Sequence, residues 1–208
     1  MSKYGIVILA AGSSSRLGRP KQLLELNGST FIAHIVQQAL DVAESTTVVV
    51  SGAADSGIRK ALSGFDVPVN FNPDWEQGMS TSIRSGLQAL LLAQPNIEAC
   101  ILLVCDQPHV TTSLFREMIR QYESAAAGIL ACSYGDTLGS PAIFGRAFFD
   151  ELLKLEGQEG AKKIIKKYQT NVLSFPFPKG SVDIDTAEDY VTFMSGQQEQ
   201  IIDAGKGN

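Results

Sequence analysis

A short stretch near the start of the chain combines small residues with three basic ones. Residues 10–21 are Ala-Ala-Gly-Ser-Ser-Ser-Arg-Leu-Gly-Arg-Pro-Lys, and they follow the apolar run Tyr4–Ala10. Small residues let backbone N–H groups approach an anion closely. Arg16 offers a planar fork of donors for phosphate oxygens, and Lys21 offers a mobile positive charge. The combination predicts a triphosphate site that stabilises a departing pyrophosphate. A plain surface loop is the alternative, since neither GxxxxGK[ST] nor GxGxxG is present.

Acidic residues in two distant segments are candidates for binding a metal ion. Asp106 follows the six apolar residues Ala99–Val104 with only one residue between them. Mg²⁺ prefers hard oxygen ligands, typically one or two carboxylates completed by phosphates and water. Asp106 therefore predicts an Mg²⁺ site facing the triphosphate, with a turn or cap role as the alternative. Asp183 and Asp185 would point the same way in an extended chain, and for Asp185 an N-cap role is the alternative.

A second loop places hydroxyl groups beside a glycine. It runs from Asn72-Pro73 to Gly78 and leads into a predicted helix over Ser80–Leu92. Gly78 permits a tight turn there. Ser80 or Ser82 would lie where hydroxyl groups and helix N-terminal amides can contact a nucleotide. For Ser80, capping of the helix is the alternative.

Composition and charge exclude several classes of protein. The chain has 208 residues, of which 44% are hydrophobic and 19% are charged, as in ordinary globular domains. It contains no apolar run of about 18 residues, so we expect no membrane span. The net charge of −5 disfavours a nucleic-acid binder. Residues 1–24, however, contain four basic side chains and no acidic one, which suits a small anionic ligand.

Cysteine and histidine offer little support for other chemistries. Cys100, Cys105 and Cys132 form no CxxC pair, which indicates free thiols in a reducing compartment, so we expect a cytoplasmic protein. Asp106 opposes thiolate formation at Cys105 because the two residues are adjacent. No GxSxG motif accompanies the two histidines, His34 and His109, so a Ser-His-Asp hydrolase is disfavoured.

Strand and helix patterns alternate along the first two thirds of the chain. This alternation predicts a three-layer, Rossmann-like α/β fold with a mostly parallel sheet. We expect one domain over residues 1–195 and a polar tail over 196–208. Ligands of such sheets bind beyond the carboxyl ends of the strands, where the candidate loops should meet. The predicted strands are Tyr4–Ala10, Thr46–Val50, Val67–Phe71, Ala99–Val104 and Gly128–Cys132, with weaker ones at Ser140–Phe144, Asn171–Ser174 and Val182–Ile184. The predicted helices run from Ser29 or Thr30 to Asp41, over Asp55–Leu62 and Ser80–Leu92, and from Thr111 or Thr112 to Tyr122, with shorter ones near Arg146–Leu153, Gly160–Tyr168 and Ala187–Met194.

The first loop resembles the signature of a known family. Residues 9–21, LAAGSSSRLGRPK, are similar to the pattern LA(A/G)GxSxRMGxxK of small nucleotidyltransferases, and most similar to the molybdenum cofactor cytidylyltransferase branch. In that family the loop wraps the triphosphate, and the arginine and lysine neutralise it. The resemblance therefore implies catalytic roles for Arg16 and Lys21. It also implies that Leu9, Ala10, Ala11 and Gly12 help to bind the nucleotide.

The second loop matches the same family. Residues 72–87 resemble the family pattern NPxxxxGMxxSLxxGL, with Ile83 in place of a leucine. The resemblance implies that Asn72, Gly78 and Ser82 lie near the base and the ribose of the nucleotide.

Both acidic segments also match. In the family pattern DQP, present here as residues 106–108, the aspartate binds the metal ion. The resemblance thus implies that Asp106 is catalytic and binds Mg²⁺. Residues 183–190, DIDTAEDY, resemble the family's closing DIDTPEDY. We favour Asp185 as the second metal ligand and rank Asp183 below it.

Two later segments resemble the acceptor side of the family's site. Residues 139–144 and 155–162 are similar to GxPxxF and LxGDxGAR, which border the acceptor pocket. Gln158 stands where the family has an aspartate, and Lys162 where it has an arginine. The resemblance implies that Ser140 and Lys162 contact a phosphorylated, pterin-like acceptor.

These resemblances imply transfer of CMP from Mg·CTP to the phosphate of molybdopterin or its molybdenum form, with release of pyrophosphate. CTP is favoured because the first loop has LAAG where the guanylyl branch typically has LAGG, and Ala11 would disfavour the larger base. A guanylyltransferase, or an enzyme acting on a sugar or polyol phosphate, is the close alternative. From another class, a non-catalytic nucleotide-binding protein could deliver the cofactor to a molybdenum hydroxylase. Such a hydroxylase is the expected client.

Overall fold

The secondary structure alternates as the sequence predicts. The computed structural model describes residues 2–14, 17–26, 28–158, 160–182, 184, 186 and 188–195. The strands in this part of the chain are β1 (Tyr4–Ala10), β2 (Glu25–Leu26), β3 (Ser29–Thr30), β4 (Ser45–Ser51), β5 (Val69–Phe71), β6 (Ala99–Val104), β7 (Ile129–Tyr134), β8 (Thr137–Gly145) and β9 (Val172–Pro176). The helices are α1 (Phe31–Leu40), α2 (Asp55–Ala61), α3 (Met79–Ala93), α4 (Thr112–Ala125), α5 (Phe149–Leu153), α6 (Lys162–Lys167) and α7 (188–195).

The described strands form one large sheet and one short ribbon. The large sheet has the order β5-β4-β1-β6-β8-β7-β9, and β2 pairs with β3. Neighbouring strands of the large sheet run parallel except for β8, which is antiparallel to both β6 and β7. A tight turn at Gly135-Asp136 joins β7 to β8, and Gly135 has the positive φ of 55° that such hairpin turns require. The prediction of a mostly parallel α/β sheet is confirmed.

Helices cover both faces of this sheet. Side chains of β1 alternate between two buried clusters, with Ile6 and Ile8 in one and Val7 in the other. The first cluster includes residues of α1, α2 and α4, and the second includes residues of α3, α5 and α6. Successive side chains of a strand point to opposite faces, so a continuous apolar run such as Tyr4–Ala10 is buried on both sides. The sheet and the helices on its two faces form the three layers that the sequence predicts.

Some element boundaries differ from the prediction for identifiable reasons. The third strand begins at Val69 instead of Val67, because Pro68 has no N–H to donate to a neighbouring strand. The helix predicted from Gly160 begins at Lys162, since Gly160 has a left-handed φ of 58°. Residues 182 and 184 are not in a strand, so the edge strand predicted at Val182–Ile184 is wrong for these two residues.

Two further predictions concern membranes and the chain's end. None of the helices among the described residues is both long and apolar enough to cross a bilayer. The polar tail predicted over 196–208 lies outside the described residues, so the division at residue 195 stays a prediction.

Candidate active site

Three loops meet at the carboxyl edge of the parallel strands. The segments that follow β1, β5 and β6 line a first cavity of about 370 Å³. Parallel strands bring these three loops to one edge, although they are separated by tens of residues in the sequence. Seven residues that the sequence predicts for the site line this cavity: Leu9, Ala11, Gly12, Lys21, Gly78, Ser82 and Asp106.

A charge pair joins the first and third of these loops. The Nζ atom of Lys21 donates a hydrogen bond to Oδ2 of Asp106. The other carboxylate oxygen, Oδ1, is buried and has no hydrogen-bond partner among the described residues. A buried carboxylate oxygen without a donor suits a hard divalent cation. The chemistry of Asp106 therefore fits a magnesium-type metal ion.

Arg16 and Asp185, predicted to hold phosphate and metal, lie outside the described residues. Their neighbours Leu17 and Ile184 are described, and both belong to one small buried cluster that also contains Phe31. The segment after β1 and the segment near the chain's end thus pack together. The sequence motifs alone gave no indication of this contact.

A buried glutamine determines the shape of the first loop. The amide of Gln22 donates to the carbonyl oxygens of Ala10, at 3.0 Å, and Gly12, at 2.8 Å. The hydroxyl of Ser14 accepts a hydrogen bond from the backbone N–H of Lys21 at 3.0 Å. Ala10 does not line the cavity, and its carbonyl is used in this network instead. Sequence reasoning missed Gln22, because nothing in a polar residue between leucines and a lysine indicates burial.

The side chain of Asn72 connects the second loop to the start of α3 through hydrogen bonds. Its side-chain amide donates to the hydroxyl groups of Thr81, at 2.8 Å, and Ser82, at 3.0 Å, and its Oδ1 accepts from the backbone N–H of Asp74. Asn72 is buried and does not line the cavity, whereas Ser82 does. The nucleotide contact predicted for Asn72 stays a prediction, and the structure connects Asn72 to the cavity through Ser82.

The first loop packs closely against Gly52 and Trp75. A Cβ atom at Gly52 would lie 2.5 Å from the carbonyl oxygen of Ala11 and 2.8 Å from Cγ of Trp75. Only a glycine allows the three segments to approach this closely. Trp75 also lines the first cavity, so its ring forms part of the wall next to Ala11.

A second cavity adjoins the first on the side of β8 and α6. It has a volume of about 330 Å³, and Ser140 and Lys162, the predicted acceptor residues, both line it. The two cavities share five lining residues, which therefore form their common boundary: Leu9, Met79, Val104, Asp106 and Gln158. The proposed metal ligand thus lies at the boundary of the two cavities.

Gly157 and Gly160 pack closely against the start of α3. Gly78 precedes α3 with a φ of 119°, and a Cβ there would lie 2.7 Å from the carbonyl oxygen of Gly157. A Cβ at Gly160 would lie 2.7 Å from the sulfur of Met79. Side chains at these glycines would push the two loops apart. Residues 78–79 therefore pack against the segment that contains Gly157 and Gly160.

The thiol next to the proposed metal ligand is not suited to nucleophilic catalysis. Burial raises the pKa of the Cys105 thiol far above its usual value, and the negative charge of Asp106 raises that pKa further. Burial likewise raises the pKa values of Cys100 and Cys132. All three cysteines are free and buried, so their thiols stay protonated at neutral pH.

One family model matches most of the chain. The description of this model is MobA-like NTP transferase domain, and the match covers residues 6–172. The matched span contains the first loop, Asp106, Ser140 and Lys162. The chain belongs to this family. It is therefore an enzyme of the nucleotidyltransferase class.

Relatives of the MobA-like chain include enzymes named for different nucleotides. Over 193 residues it is 22% identical to the molybdenum cofactor cytidylyltransferase of Escherichia coli (strain K12), covering 92% of this chain and 96% of that enzyme. Over 123 residues it is 30% identical to a probable molybdenum cofactor guanylyltransferase of Bacillus cereus (strain AH187), covering 58% of each chain. These similarities support the family and leave the base of the nucleotide open.

Solved structures share the fold of this family member. Rv0371c from Mycobacterium tuberculosis H37Rv superposes with a TM-score of 0.78 at 28% identity, covering 93% of this chain and 98% of that one. A structure of Rv0371c in complex with manganese superposes with a TM-score of 0.71 at 29% identity, covering 92% and 97%.

Proposed function

We propose that this nucleotidyltransferase moves CMP from Mg·CTP to the phosphate of molybdopterin or its molybdenum form, and releases pyrophosphate. The observation that supports this proposal best is the pair of adjoining cavities with Asp106 at their boundary. A transferase that joins two substrates requires two neighbouring pockets, so that the reacting atoms meet at the boundary between them. Asp106 lies at that boundary.

In the proposed reaction, an oxygen of the acceptor phosphate attacks the α-phosphorus of CTP. A new phosphorus–oxygen bond forms, the bond from the α-phosphorus to the bridging oxygen breaks, and pyrophosphate leaves with the electron pair. Because the acceptor phosphate is already anionic, it needs little activation. Catalysis therefore depends mainly on positioning and on neutralising charge.

Each group of residues has a distinct task in this proposal. The backbone of Leu9, Ala11 and Gly12, which line the first cavity, would cradle the triphosphate, while Arg16 and Lys21 neutralise it. Asp106 and Asp185 would hold Mg²⁺, which when bound neutralises phosphate charge and orients the triphosphate. Lys162 would supply a positive charge to the anionic acceptor in the second cavity, whose wall it shares with Ser140.

Burial of Ala11 supports a preference for the smaller base. Ala11 is 6% exposed and lies against Gly52 and Trp75 at the wall of the first cavity. Its methyl group occupies space that a glycine at this position would leave free. The guanylyltransferase alternative receives support from the Bacillus relative, so the base must be tested directly.

Competition between radiolabelled CTP and GTP, with molybdopterin as the acceptor, tests the proposal. We expect pyrophosphate release and label transfer mainly from CTP. The Ala11→Gly variant should shift the preference towards GTP, because removal of the methyl group enlarges the first cavity, where the base would bind. A wild-type preference for GTP would overturn the base assignment. Transfer to a sugar or polyol phosphate, with none to molybdopterin, would overturn the acceptor.

A further inference from the structure

Gln107, the residue after the proposed metal ligand, connects three segments of the chain. Its side-chain Nε2 donates to the carbonyl oxygen of Ser140 at 3.0 Å and to the carbonyl oxygen of Gly180 at 3.0 Å. Both hydrogens of the amide are thus used by carbonyl groups from different parts of the fold. Gln107 is 1% exposed, and its two donated hydrogen bonds connect neighbouring segments, while its Oε1 is buried without a hydrogen-bond partner among the described residues.

Ser140 makes a second hydrogen bond to the chain around Asp106. Its hydroxyl oxygen accepts a hydrogen bond from the backbone N–H of Val104 at 3.2 Å. Ser140 therefore bonds to the residue two positions before Asp106 through its side chain, and to the residue after Asp106 through its carbonyl group. The backbone N–H of Cys105 also donates to the carbonyl oxygen of Leu9, at 3.3 Å.

These bonds fix the backbone on both sides of Asp106. An aspartate side chain is short, so the position of its carboxylate follows closely from the position of its backbone. A metal site requires its ligands within about 0.5 Å of the working geometry, which supporting hydrogen bonds provide. The bonds of Gln107 and Ser140 are suited to this support.

The bond to Gly180 extends the same support towards the end of the chain. Gly180 belongs to the 3-10 turn Pro178–Ser181, which directly precedes the segment with the second proposed ligand, Asp185. Gln107 thus links the Asp106 loop to the stretch of chain that leads to Asp185.

We infer that Gln107 and Ser140 are positioning residues that orient the Asp106 carboxylate for metal binding. This role rests on the proposed function, and for Ser140 it adds to the predicted acceptor contact. Neither residue needs to touch the metal ion or the nucleotide. Their contribution is to hold Asp106 relative to β8 and to the turn at Gly180.

Binding of Mn²⁺ in the presence of CTP, measured by the electron paramagnetic resonance signal of the free ion, tests this role. Gln107→Met keeps the side-chain volume and removes both hydrogen bonds, and Ser140→Ala removes the bond to Val104. We expect each variant to bind Mn²⁺ about tenfold or more weakly than wild type, the lower end of the range for supporting partners of metal ligands. Affinity for CTP without metal, followed by Trp75 fluorescence in EDTA, should stay within about twofold of wild type, since neither residue lines the first cavity.

Two matched variants separate this role from a general effect on folding. Gln38 also anchors another segment through its amide, by accepting from the backbone N–H of Thr112 at 2.8 Å, and Ser133 donates to the carbonyl oxygen of Phe175. Gln38→Ala and Ser133→Ala should leave Mn²⁺ affinity unchanged. If Gln107→Met does not fold, Ser140→Ala against Ser133→Ala gives the same comparison.

The outcomes distinguish this role from the proposed function. Wild-type Mn²⁺ affinity in Gln107→Met or Ser140→Ala would overturn the positioning role alone. A loss of metal-free CTP affinity as large as the loss of Mn²⁺ affinity would also overturn it, since the change would then be a general loss of structure. A wild-type protein that releases no pyrophosphate from any nucleotide would instead overturn the proposed function.

Discussion

The ammonium group of Lys21 is hydrogen-bonded to the carboxylate of Asp106, although the two residues are 85 positions apart in the chain. Both side chains are largely buried, with 21% and 15% of their surfaces exposed. In the proposed complex each would face another partner, the lysine a phosphate and the aspartate a metal ion. The ion pair compensates both charges in a region that is largely shielded from water.

Replacement of Asp106 tests the central chemical assignment. Asp106→Asn keeps the shape of the side chain and removes its charge, so we expect the fold to persist and turnover to fall by about 100-fold or more, as for removal of other groups that stabilise transition-state charge. Pyrophosphate release and the thermal transition followed by circular dichroism measure the two effects. Asp136→Asn, at the exposed turn between β7 and β8, is the matched control. Unchanged turnover in Asp106→Asn would contradict the metal assignment.

Loss of the buried Gln22 amide should weaken nucleotide binding. Gln22→Ala removes the donor to the carbonyl groups of Ala10 and Gly12, and the loss at the buried Ala10 carbonyl costs about 1–3 kcal/mol. We expect a higher KM for the nucleotide with a smaller effect on kcat, since the cradle is disordered before the chemical step. Gln37→Ala, whose exposed amide bonds only to Asp41 among the contacts described, should behave as wild type. Equal kinetics in both variants would show that Gln22 does not shape the loop.

A methyl group at Gly52 should disturb the wall of the first cavity at Ala11 and Trp75. The Cβ of Gly52→Ala would lie 2.5 Å from the backbone oxygen of Ala11, which cannot move without moving the first loop. Overpacking of this kind costs about 1–3 kcal/mol. Each kcal/mol lowers the melting temperature of a chain of this length by about 2–4 °C. A Cβ at Gly64 meets nothing within 4 Å, so Gly64→Ala is the control. Equal melting temperatures and CTP affinities in the two variants would argue against close packing at Gly52.

The thiols should be unreactive in the folded enzyme. Burial raises the pKa of all three cysteines, so the thiolate form that reacts with disulfide reagents is scarce at neutral pH. We expect slow labelling by a thiol-reactive chromogenic disulfide in the native protein and fast labelling of all three residues in guanidinium. Rapid native labelling of Cys105 would contradict both its burial and its raised pKa.

Much of the fold was predictable because its signals are local. A run such as Tyr4–Ala10 needs cover on both faces, and that need alone indicates a buried strand of a parallel sheet. Helix starts were equally local, since Thr30 and Thr111 accept hydrogen bonds from the backbone N–H groups of Ala33 and Leu114, as N-cap residues do. Predictions were weakest near the chain's end, where elements are short and turns such as Pro178–Ser181 break the periodicity.

By itself, the sequence determined the family and the α/β layers, because motif and periodicity are properties of neighbouring residues. Only the tertiary structure decided that Lys21 pairs with Asp106, that Gln22 and Gln107 are buried, and that Leu17 packs in one cluster with Ile184. Such contacts join residues far apart in the chain. They depend on strand order and register, which bring distant loops to one edge of the sheet, and no local pattern records those distances.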